Sequence, residues 1–156
     1  MAKLKDELKK RDPFASVTQE AMLGILRTSD LLENRIARVL RPFKLTPAQY
    51  NVLRILRGEG KPLPTQEVAG RMIQVAPAIT RLTENLRSRG LIAKRQSESD
   101  ARVYLLKVTE PGESLLDQLD DPISTMHESL LGSVPPTKLR QLNAVLENIR
   151  TAVDRH

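Results

Sequence analysis

The chain has 156 residues, 40% of them apolar, and carries 25 Lys and Arg against 19 Asp and Glu, a net charge of +6. That length suits one domain or two small lobes, and no apolar run is long enough to span a bilayer. Cysteine is absent, which excludes disulfides and thiol nucleophiles, and His127 and His156 alone cannot supply the usual metal-ligand set.

Residues 3–11 are charged and weakly amphipathic, and Asp12-Pro13 breaks them. They lack the apolar segment of a signal peptide, so a cytoplasmic protein is expected. Residues 1–17 read as a flexible arm, disordered rather than a frayed helix or an arm lying on DNA or on a partner subunit. Residues 18–40 predict a long helix, roughly 30 Å in span. Met22, Ile25, Ser29, Leu32, Ile36 and Val39 form a heptad-like stripe along it. Core of one monomer is the plain reading; contact with a second chain is the stronger one, because so small a lobe has few places to bury the stripe. Arg35, Arg38 and Arg41 fall on other faces, as solvated charge does.

Thr46-Pro-Ala-Gln49 has the form of a capping box with proline at the first helical position. The helix it opens, over residues 47–57, buries Val52, Leu53 and Leu56. Gly58-Glu-Gly60 reads as a turn, since no later glycine or preceding strand makes it a phosphate loop. Residues 61–64 could add a short edge strand.

Residues 65–73 predict a short helix with Thr65 as its N-cap. A turn follows at residues 74–76, then a longer helix over 77–89. Ile79, Leu82 and Leu86 share its buried face. Pro77, Arg81, Glu84 and Ser88 lie opposite, with Thr80 and Asn85 on the flanks. Gly90 stops the helix. Two β-favouring runs, 91–96 and 103–109, enclose a polar loop at 97–102. Helix, turn, helix and charged hairpin make the plan of a winged helix-turn-helix.

Thr109-Glu-Pro-Gly112 starts a further helix with the stripe Leu116, Leu119, Ile123, Met126 and Leu130. Pro122 sits inside it, where a kink or a break is expected, and Gly132 ends it. Pro135-Pro136 opens the last helix, striped by Leu139, Leu142, Leu146, Ile149 and Val153. The predicted fold is mainly α with a small β-hairpin wing. Residues 45–109 form the winged helix-turn-helix DNA-binding lobe, and residues 18–44 and 110–156 a helical dimerisation lobe. Packing within one chain is the competing account of these stripes.

Charge follows this division. Residues 1–60 carry 12 basic and 7 acidic side chains, and residues 61–109 carry 9 and 4. Residues 110–133 carry no basic and 6 acidic ones. A basic middle beside an acidic helix suits a polyanion. Solubilising charge is the alternative, less persuasive because the surplus falls on the helix-turn-helix. The helix over 77–89 should enter the major groove by its N-terminal part. Arg81 can donate twice to guanine, or hold a phosphate, or pair with Glu84; Thr80 and Ala78 can touch a thymine methyl. Glu84 can orient Arg81 or Arg87, or accept from a cytosine amine. The expected DNA-facing set is Thr65, Gln74, Ala76, Pro77, Ala78, Thr80, Arg81 and Asn85 from the helical part, with Lys94, Arg95, Asp100 and Arg102 from the wing.

Several motifs carry a resemblance to the MarR family of bacterial transcription regulators. They are Leu45-Thr-Pro-Ala-Gln-Tyr-Asn-Val-Leu53, Pro77-Ala-Ile-Thr-Arg-Leu82, Arg89-Gly90-Leu91, Asp100-Ala-Arg102 and Val108-Thr-Glu-Pro-Gly112. The resemblance implies a homodimer on palindromic double-stranded DNA, commonly a repressor, released in many members by a small aromatic or phenolic effector. It implies a wing arginine, here Arg102, in the minor groove, with Asp100 holding its guanidinium; a narrow groove attracts such a cation. The effector site is expected where the first, second and fifth helices meet the winged lobe. One departure is the turn before the reading helix. The family usually offers Ser or Thr there as N-cap, and this chain has Gln74-Val75-Ala76, which leaves the first N–H groups for a phosphate. Lack of Trp and Cys makes the urate-type and thiol-oxidation-type subgroups poor matches.

The alternative reading is a winged-helix module for protein contact, without sequence-specific DNA binding. An enzyme is not expected, because neither Gly-x-Ser-x-Gly nor a Walker-type loop occurs, and no cofactor is implied. Few aromatic residues argue against stacking on single strands.

Overall fold

The computed structural model describes residues 3–74 and 78–155. One helical turn, α1 (Leu4–Glu7), lies within the predicted arm. The long helix α2 (Val17–Leu40) starts where Ser16 Oγ accepts the Gln19 N–H at 3.1 Å. A 3-10 turn (Arg41–Phe43) and Lys44, at a left-handed φ of 54°, redirect the chain into α3 (Pro47–Glu59). The predicted capping box is present in both directions. Thr46 Oγ1 accepts the Gln49 N–H at 3.2 Å, and Gln49 Oε1 accepts the Thr46 N–H at 2.9 Å. Val52, Leu53 and Leu56 are buried as expected, and Asn51 is buried with them.

The suspected edge strand is real. β1 (Leu63–Pro64) pairs antiparallel with β3 (Tyr104–Val108), which pairs in turn with β2 (Ile92–Gln96). Leu63 faces Leu106, and Ile92 faces Val108, in a sheet of order β1-β3-β2. Pro64 is tolerated because β1 is an edge. Between the strands lie α4 (Thr65–Gly70) and α5 (Ile79–Ser88). Gly90, at φ 71°, ends α5, with the Leu91 N–H on the Leu86 carbonyl at 3.0 Å and the Gly90 N–H on that of Arg87 at 2.9 Å. That pair of bonds closes the last turn as a left-handed glycine allows.

Thr109 accepts the Gly112 N–H at 3.3 Å and donates to the Gly90 carbonyl at 2.6 Å, seating the start of α6 (Glu110–Leu131) beside the end of α5. The break considered at Pro122 does not occur, and α6 runs through it. Proline inside a helix costs about 3 kcal/mol. Leu116, Leu119, Ile123 and Met126 are all buried along α6, and each such side chain contributes about 1.5–3 kcal/mol. The last helix is α7 (Pro136–Val153).

The chain divides into two compact units, Met1–Asp117 and Gln118–His156. The core of the first joins Leu40 of α2, Val52, Leu53 and Leu56 of α3, Val68 of α4, Leu86 of α5 and Leu106 of β3, each at most 1% exposed. Elsewhere large apolar side chains stay in water. Met22 and Leu26 on α2 are 63% and 61% exposed; Leu142, Val145, Ile149 and Val153 are exposed on α7. Among the described residues no helix is long and apolar enough to cross a membrane.

Candidate nucleic-acid interface

Helix α5 is held from below and open above. Leu86 and Thr83 are its buried residues, and the Thr83 hydroxyl donates to the Ile79 and Thr80 carbonyls at 3.0 and 3.1 Å. That local bond satisfies a hydroxyl that burial would otherwise penalise. Ile79 and Leu82, placed on the same face by spacing, are half-buried. On the other side Thr80, Arg81, Glu84, Asn85 and Ser88 are exposed and, with Ala78, line a shallow open groove. No side chain caps the N-terminus of α5, which stands at Ala78 rather than in the expected turn; Val75 and Ala76 of that turn lie outside the described residues. Gln74 is exposed. Ala76 and Pro77, both expected to face DNA, lie outside the described residues.

Glu84 does not pair with Arg81. Arg87 Nε meets both its carboxylate oxygens, at 2.9 and 3.1 Å. This bond holds the Glu84 carboxyl below its ordinary value, with a smaller pull from Lys94, and raises the Arg87 guanidinium. The three-residue spacing puts Arg87 one turn along from Glu84 on the same face. The acidic group on the exposed face of α5 is therefore neutralised within the helix. Arg81 has no ion-pair partner among the described residues.

Asn85 is tied to another helix. Gln49 Nε2 donates to Asn85 Oδ1 at 2.7 Å, while Gln49 Oε1 serves the capping box. At the other end of α5, the Arg89 guanidinium donates to the Lys44 carbonyl at 2.8 Å, bracing the helix against the turn between α2 and α3. Asn51 Oδ1 accepts the Ile73 N–H at 2.9 Å and so holds the approach to α5. Local sequence patterns do not reveal these braces. The sequence marks Gln49 only as half of a cap; a polar Asn51 beside Val52 and Leu53 is the one available signal.

Two expected roles change. Thr65 does not cap α4, since Pro64 occupies that position. Pairing of Pro64 with Leu105 brings Thr65 alongside Tyr104, and its hydroxyl donates to the Tyr104 carbonyl at 3.2 Å. Asp100 does not hold the Arg102 guanidinium. Its Oδ1 accepts the Arg102 backbone N–H at 2.9 Å, because a short carboxylate two residues back reaches the main chain first. The Ser97 N–H on the Val103 carbonyl, at 2.8 Å, closes the wing loop.

Lys94 lies over the Tyr104 ring, its amino group 4.5 Å from the centroid, an attraction between a cation and the ring's negative face. Arg95 approaches Glu98 at 3.6 Å in an exposed pair, worth little in water. Arg102 is exposed, without an ion pair among the described residues. Behind the wing and α4, Arg71 bonds Glu59 at 2.7 Å and Glu67 at 3.0 Å. The Arg71 bond, helped by Lys61, holds the Glu59 carboxyl below its ordinary range.

A profile of the MarR family matches residues 45–104, the stretch from the start of α3 to the wing. A MarR transcription factor from Planctomyces limnophilus is 34% identical in sequence. Its structure superposes with a TM-score of 0.67 over 86% of this chain and 98% of that one. The HTH-type transcriptional regulator FarR of Neisseria gonorrhoeae is 24% identical over 145 residues, 91% of this chain and 99% of its own. A complex of S. aureus MepR with DNA, 20% identical, shares the fold with a TM-score of 0.74 over 82% of this chain and 94% of that one.

Proposed function

Since the chain belongs to the MarR family of transcription regulators, we propose that two copies of it bind a twofold-symmetric operator and repress the adjoining gene. The observation that carries this reading is the charge arrangement on α5. Among the described residues Arg81 has no ion-pair partner on the exposed face, while Arg87 takes up the carboxylate of Glu84. Such a face presents donors and positive charge to a groove without repelling phosphate. Arg102 on the wing would reach the neighbouring minor groove, with Lys94 and Arg95 beside phosphates. Gln74, Ala78, Thr80 and Asn85 complete the proposed contact set, with Ala76 and Pro77 retained in it from the sequence. Thr65 and Asp100 act through the backbone they hold.

The apolar side chains left in water on α2 and α7 support a homodimer, because a lone chain would expose them all. Residues 18–44 and 110–156 would supply that contact. In a symmetric dimer the two α5 helices sit about one duplex turn apart. A small effector, aromatic or phenolic as in much of the family, would release the operator by favouring a dimer with a different spacing. The protein would act in the bacterial cytoplasm, where its DNA is.

A salt titration of duplex binding by the full chain tests the reading. Affinity should fall linearly in log–log form, with a slope of about −0.9 per phosphate neutralised. Absence of duplex binding at low salt would favour the rival, a winged-helix module for protein contact. Sequencing genomic fragments retained by the protein then gives the operator directly.

A further inference from the structure

We propose that Gln49 is a positioning residue for DNA reading, fixing which end of the Asn85 amide faces the duplex. The inference rests on the reading above, in which the exposed face of α5 meets DNA. The constraint begins at the main chain. The Thr46 backbone N–H can only donate, so the Gln49 atom 2.9 Å from it must be the carbonyl Oε1. The other end of that amide, Nε2, can only donate. It lies 2.7 Å from Asn85, so the Asn85 atom it meets must be the acceptor Oδ1.

The Asn85 amino group, with two donors, is then the end left for an outside partner. Asn85 is exposed and shares its groove with Arg81 and Ser88. An amide on an exposed helix face can otherwise turn over, and only its hydrogen-bond network decides its sense. Here a capping residue of α3 decides it for a side chain of α5. An outward amino group suits acceptors: a phosphate oxygen, guanine O6 or N7, thymine O4. An outward carbonyl would instead suit the amino groups of adenine or cytosine.

Gln49→Glu tests this without removing the cap, because glutamate at the third helical position also accepts the N-cap N–H. Its second oxygen can only accept, so Asn85 must turn its amino group inward and its carbonyl outward. Wild type, Gln49→Glu, Asn85→Ala and the double variant would each select from a randomised duplex pool. Gln49→Glu is expected to shift base preference at one symmetric pair of positions by about fivefold or more. In the Asn85→Ala background the same change should leave every base preference alone and weaken all duplexes alike through its added charge.

Asn85→Asp gives a second check, since it keeps an acceptor for Gln49 but has no donor to turn outward. It should lose the wild-type preference at that pair. An unchanged preference in Gln49→Glu overturns the proposal, as does a shift that survives Asn85→Ala or a preference retained by Asn85→Asp. A wild-type protein that selects no sequence overturns the DNA reading itself, and this inference with it.

Discussion

Asp100 accepts the backbone N–H of Arg102 at 2.9 Å, which ties the wing tip through its main chain and leaves the guanidinium outside that bond. Arg102→Ala should therefore keep the wing's shape. It should weaken duplex binding for all sequences and lower the salt slope by about one. Sedimentation should match that of the wild type, and binding isotherms at several salt concentrations check the rest. Equal affinity in the variant would remove Arg102 from the interface.

The capping box at the head of α3 sets a stability expectation. Thr46→Ala removes the acceptor for the Gln49 N–H and should cost about 1 kcal/mol. Urea denaturation with an unchanged m-value is the measurement.

Two glycines should behave differently. Gly90 stands in open space but at φ 71°, so Gly90→Ala should cost about 1 kcal/mol in backbone strain. Gly112 lies at the start of α6, where a Cβ would collide with the Leu91 carbonyl oxygen and touch Val108. Backbone cannot swing aside as a side-chain end can. Gly112→Ala should cost more, about 2–3 kcal/mol, and thermal melts of the two variants would rank them.

Acid should act on the cluster around Glu59. Arg71, with Lys61, depresses the folded carboxyl below its unfolded value. The bound form is thus the ionised one, and its stabilisation is fully present above the unfolded pKa. It is lost as pH falls through the depressed folded value. Glu59→Gln should lower the melting temperature near neutral pH and flatten its decline on acidification. Parallel melting curves for variant and wild type across that acid range would contradict this.

The exposed apolar rows give the test of assembly. Met22→Glu and Leu142→Glu place charge among side chains that an isolated chain leaves in water. Each should shift sedimentation toward the single chain and weaken operator binding steeply, since one half-site alone supplies half the contacts. Variants that remain dimeric would place the interface elsewhere.

The order of the helices, the capping box at Thr46, the edge strand before α4 and the stop at Gly90 were all legible in the chain. Each depends on residues within a few positions of one another, whose conformational preferences act locally. So did the exposed face of α5, because helical periodicity alone separates Arg81, Glu84 and Ser88 from Leu86. What the order of residues could not decide was which polar groups meet. Glu84 faced two arginines at helical reach, and Thr65 had both its own helix and a strand within range. Gln49 and Asn85, 36 positions apart, share no local pattern. Only packing α3 against α5 brings those amides to hydrogen-bond distance. Their orientation follows from the Thr46 N–H, a donor the capping-box motif records, and that packing relays it to Asn85.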